Sequence, residues 1–116
     1  MKTKQQICEQ NTGTFPPITL QQYEHSVETL LGLARTDSGG ASPAAQVLLS
    51  LYNGDLWKAD LAHICCSLDS SYFDHAVISM LARAQLMREP HDVIHNGNQQ
   101  FEELGRLWHH LREPQA

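Results

Sequence analysis

His63, Cys65, Cys66 and His75 are the residues whose types and spacing could do chemistry together. If a helix begins at Asp60, His63 and Cys66 share one face at i and i+3, and His75, early in the following helix, can approach them. Imidazole nitrogen and thiolate sulfur are the ligands that four-coordinate zinc takes, so these four residues form a weak candidate metal site. The same His63 and Cys66 would suit a thiol enzyme if the imidazole held the cysteine as thiolate. Against both readings, no CxxC or HExxH spacing is present, and no orienting third group, oxyanion hole or cofactor motif can be found. Cys65 also reads as a small core residue, because unpaired cysteine is among the most buried types. The expectation is therefore a non-catalytic chain with no metal and no cofactor. Cys8 with the adjacent Cys65 and Cys66 makes an odd set that is poorly placed to bridge, so reduced thiols and a cytoplasmic setting are expected.

Other groupings are read more simply. His91 and His95 have the i, i+4 separation of helical metal ligands, but they follow Pro90 in a turn-rich segment and are taken as surface residues. Glu24 and Glu28, one turn apart, fit a solvated helix face. Gly39 and Gly40 precede a helix start, where amides can hold an anion, but the strand and lysine of a P-loop are missing. With eight Lys and Arg against thirteen Asp and Glu, the formal charge is −5. That sign opposes binding to a phosphate backbone, and no nucleic-acid partner is expected. A helix-turn-helix regulator, with Leu56 to Cys66 as first helix and Ser70 to Arg88 as recognition helix, is the alternative. Its objection is Asp74, which stands near the start of that second helix, where base-reading side chains sit.

The elements that must position these groups read as helices throughout. Thr19 with Gln22 forms a capping box, and Leu20, Tyr23, Val27, Leu30, Leu31 and Ala34 then line one face of a helix over about 20–35. Ser42 and Pro43 restart a helix as cap and first-turn proline, with Ala44, Val47, Leu48 and Leu51 facing inward and Asn53-Gly54 supplying a left-handed stop. Asp60 caps a short helix through Cys66. Asp69 caps a longer one over about 70–88, whose apolar residues Phe73, Ala76, Val77, Met80, Leu81, Ala84 and Met87 recur at three-four spacing. Asn96-Gly97-Asn98 signals a turn, and Phe101, Leu104, Leu107, Trp108 and Leu111 give a last helix from near Gln99. The expected fold is all-α: a single domain at residues 18–113, four or five helices around the helix at about 70–88, with a mobile tail at 1–17 and a short one at 114–116. No stretch is apolar for the 18 or more residues that a membrane span needs.

Three segments resemble a known group: Leu30-Leu31-Gly32-Leu33-Ala34-Arg35-Thr36-Asp37-Ser38-Gly39-Gly40, Leu48-Leu49-Ser50-Leu51-Tyr52-Asn53-Gly54 and Phe101-Glu102-Glu103-Leu104-Gly105-Arg106-Leu107-Trp108. They are similar to an uncharacterised family of small helical proteins encoded on bacterial mobile elements. The family brings no activity; the resemblance implies a bacterial accessory protein. Together with the residue reading, this points to a protein interaction module that meets a protein partner or a second copy of itself. The candidate contact residues are Tyr52, Leu56 and Trp57. Leu56 and Trp57 are adjacent and cannot easily enter one core together. If Leu56 fills the core, Trp57 is left near the surface as an anchor; otherwise Trp57 caps the core edge.

Overall fold

The computed structural model describes residues 13–112. Residues 1–12 and 114–116 of the expected tails, and with them Cys8, lie outside the described residues. Five α-helices run in the order α1 (Leu20–Ala34), α2 (Ala41–Tyr52), α3 (Leu61–Ser67), α4 (Ser70–Leu86) and α5 (Gly97–Leu107). Single 3-10 turns stand at Pro90–Asp92 and His109–Leu111. The protein is an all-α bundle, and no described helix is long and apolar enough to cross a membrane.

The helix starts follow from local side-chain chemistry. Thr19 Oγ1 accepts from the Gln22 amide at 3.0 Å while Gln22 Oε1 accepts from the Thr19 amide at 2.8 Å, which completes the capping box. Asp60 accepts from the His63 amide at 3.1 Å and Asp69 from the Tyr72 amide at 3.2 Å. Each such cap stabilises its helix by about 1 kcal/mol. The start of α2 differs from the expected Ser42 cap. Its first residue is Ala41, its N-cap is Gly40 with no side-chain bond, and Ser42 Oγ accepts from Gln46 Nε2 inside the first turns. Its end differs as well, because Asn53 is extended and its Oδ1 takes the Asp55 amide at 3.1 Å, so no left-handed residue is used. The left-handed non-glycine residues lie elsewhere, at Met87 and Asn96, which close α4 and open α5.

The core is built outward from α2, whose Ala44, Ala45, Val47, Leu48 and Leu49 are all buried. A helix buried nearly all round is an inner helix. α1 covers it with Tyr23, Val27, Leu30, Leu31 and Ala34, the face its spacing predicts. α4 packs chiefly on α1, and its buried residues are Ala76, which the expected stripe includes, with Ser79 and Ala82, which it omits. Those three are small, so the two helix backbones can come close. The larger Phe73, Met80 and Leu81 then fill the edge of the core and are half-buried. Ala84 is exposed, and Met87 is 76% exposed because the chain has already turned left-handed there.

Hydrogen bonds between distant segments close the bundle. The Ile18 amide donates to Gln85 Oε1 at 2.7 Å and Gln85 Nε2 donates to the Pro16 carbonyl at 3.1 Å, which fastens the described part of the N-terminal segment to α4. Trp108 Nε1 donates to the Ala34 carbonyl at 3.0 Å, joining the end of α5 to the end of α1. Tyr23 is buried and its hydroxyl donates to the Arg88 carbonyl at 2.7 Å. Burial pushes that phenol up to about 12, so it stays a neutral donor.

Candidate functional site

The four residues that first suggested chemistry are not brought together. His63 Nδ1 lies 3.1 Å from Ser67 Oγ within α3, whereas His75 Nδ1 lies 2.9 Å from Ser26 Oγ across the α1 and α4 contact. Cys65 and Cys66 are both exposed, since Ile64 takes the core-facing position of α3. The expectation of Cys65 as a core residue is thereby corrected. Among the described residues no three His, Cys, Asp or Glu side chains are placed to hold one metal ion.

Ser26 and His75 stand at the distance of a nucleophile and its base, but Ser26 is 0% exposed and no substrate could reach its hydroxyl. The pair is a packing device. Burial lowers the His75 pKa from its ordinary value of 6.5, the neighbouring His25 ring 5.3 Å away lowers it further, and Asp74 opposes both. A depressed imidazole means that the unfolded chain binds the proton more readily. Stability contributed by neutral His75 is therefore present above about pH 6.5 and is lost as pH falls below it. Urea midpoints measured at pH 7.5 and 5.5 should fall further on acidification in the native chain than in His75→Gln; equal falls would remove the effect.

The three candidate contact residues line one cavity. Trp57 is 6% exposed and Leu56 is half-buried, so of the two expected placements the one with Trp57 at the core edge is found. After α2 ends, the amides of Leu56 and Trp57 both donate to the Asn53 carbonyl, at 3.2 and 3.0 Å, and this tight turn carries Trp57 toward α5. Its backbone meets Arg112 in an isolated antiparallel bridge. Its ring lies over Gly105, where an added Cβ would be 3.3 Å from Trp57 Cζ2. The indole thus settles where α5 has no side chain.

Between these segments lies a cavity of about 250 Å³. Tyr52, Leu56, Trp57 and Phe101 form its apolar side. Tyr52 and Phe101 have ring centroids 5.1 Å apart, and His91 stands edge-on to Tyr52 at 4.9 Å. His91 was taken as a surface residue, but its side chain is packed against these rings; His95 is exposed. The polar side comes from Glu102, Arg106, His109 and Arg112. Phe101, Gly105 and His109 follow at successive intervals of four, with Glu102 and Arg106 on the adjoining row, so one face of α5 and the turn after it supplies most of the lining.

The electrostatics of this cavity are unbalanced. Among the described residues neither Arg106 nor Arg112 has a carboxylate within ion-pair distance, Glu102 included. Arg112 Nε is buried with no hydrogen-bond partner among the described residues. An unpaired buried donor costs about 1–3 kcal/mol, and more when it carries charge. No group in the cavity is placed as a nucleophile with its base. What the arrangement offers is apolar surface beside guanidinium donors. Arg106 and Arg112 were missed from sequence because only folding brings them beside Tyr52 and Trp57. A signal existed in Gly105, a residue that weakens a helix by about 1 kcal/mol relative to Ala and so calls for a close neighbour.

The model of a family of unknown function, DUF7673, matches residues 24–109. No curated protein and no solved structure matches the chain.

Proposed function

We propose, from the premise that the chain belongs to the DUF7673 family, that it is a non-catalytic module that binds another protein through the cavity between α2 and α5. The observation that carries this reading is the pairing of an apolar floor, Tyr52, Leu56, Trp57 and Phe101, with arginines that lack partners among the described residues. Buried aromatic surface beside arginine is the composition of binding hot spots. The setting we assign is the bacterial cytoplasm, from the residue reading and the sequence resemblance, and the role of mobile-element accessory rests on the resemblance alone. The regulator alternative is less favoured because the first turns of α4 present Ser70, Ser71 and Asp74 to solvent, and an acidic side chain there repels a phosphate backbone.

Affinity capture with the full chain and with Arg106→Glu, each eluate examined for protein and for nucleic acid, tests the reading. Arg106 is exposed, so the substitution should alter stability by no more than about 0.5 kcal/mol. A protein retained by the native chain and lost by the variant is expected. Salt-sensitive recovery of a defined duplex would favour the regulator instead.

A further inference from the structure

We infer that the cavity receives the free C-terminal carboxylate of a partner polypeptide whose last side chain is apolar, an inference that rests on the interaction role proposed above. Three observations converge on this occupant. Arg112 lines the cavity and its buried Nε has no hydrogen-bond acceptor among the described residues, and Arg106, also on the lining, has no carboxylate partner among them. A guanidinium offers its donors in a planar fork that matches the two oxygens of a carboxylate. Tyr52, Trp57 and Phe101 share the lining with the arginines, which calls for an apolar group held close to that carboxylate.

A terminal residue presents both groups from one α-carbon. An internal Asp or Glu carries its carboxylate on the only side chain it has, and leaves nothing apolar at the same point to meet the rings. The size agrees, since about 250 Å³ lies below the roughly 300–1,000 Å³ of pockets that enclose whole small ligands and suits one residue. A polyanion is disfavoured by the net charge of −5 and by Glu102 on the same rim, whereas a single carboxylate can reach the arginines with little penalty. Capture of a chain terminus by positioned donors is a recurrent mode of peptide recognition.

The test uses the immobilised full chain and two peptide libraries, random heptapeptides displayed with free C-termini and the same heptapeptides followed by an invariant tail. Selection should converge in the first library alone, on an apolar last residue. A synthetic copy of the selected peptide should lose affinity about tenfold or more when its C-terminus is amidated, and by a similar factor against Arg112→Gln. Amidation leaves the protein untouched, so the comparison holds even if Arg112→Gln fails to fold. Convergence in both libraries, or an amide that binds as tightly as the acid, overturns the carboxylate inference and leaves the interaction role standing. Convergence in neither library removes both.

Discussion

Gly97→Ala is expected to cost at least about 3 kcal/mol of stability, the upper end for overpacking a filled site, and to leave the α5 end of the bundle unformed. A Cβ built on Gly97 would lie 1.7 Å from the His91 carbonyl oxygen, 2.6 Å from its carbon and 3.0 Å from its Cα. All three atoms are backbone, so no rotamer change relieves the overlap. The neighbours cannot easily yield either. Pro90 fixes the 3-10 turn that carries His91, and Asn96 is already left-handed at φ 53° to open the helix. Helix propensity alone predicts the opposite sign, a gain of up to about 1 kcal/mol for Ala over Gly. Urea denaturation of Gly97→Ala beside the exposed control Asn98→Ala decides it: a variant within about 1 kcal/mol of the native chain would mean that the turn and α5 do not approach this closely in solution.

Trp57→Ala should lower stability by about 3–5 kcal/mol, the range for truncating a core aromatic. At 6% exposure the indole is part of the fold, wedged against the bare backbone of Gly105. Had it been a surface anchor, the substitution would have left the melting temperature nearly unchanged. A cooperative melt near the native temperature would therefore return Trp57 to the surface and remove the apolar wall of the cavity. Because the change strikes the core, it is a poor probe of binding, which is why Arg106 and Arg112 carry those tests.

The parts of this architecture that were legible in sequence are those decided within a few residues. Thr19, Asp60 and Asp69 each cap a helix through a bond to an amide three residues on, and that chemistry needs no tertiary partner. The inward face of α1 was legible because one broad apolar stripe meets one neighbour. α4 was misread because burial there follows closeness of approach, so Ala76, Ser79 and Ala82 go inside while larger residues of the apolar pattern stay at the edge. The stripe identified the helix and included Ala76 of its inner face but missed Ser79 and Ala82. The candidate contact residues Tyr52, Leu56 and Trp57 do sit together on one cavity, although adjacency alone could not say which of Leu56 and Trp57 turns inward. That choice depends on Gly105 and Arg112, far along the chain, and so do the unpaired charges.

The bridge between Trp57 and Arg112 also sets an order of events during synthesis. α1, α2 and α4 can dock on one another while later residues are still inside the ribosome, whereas the arginine wall arrives only after α5 and the turn that follows it have emerged. A nascent chain therefore holds its inner helices before the cavity lined by Arg106 and Arg112 is complete. A chain that stopped short of Arg112 would keep the contacts among α1, α2 and α4 but would lack one residue of the cavity lining.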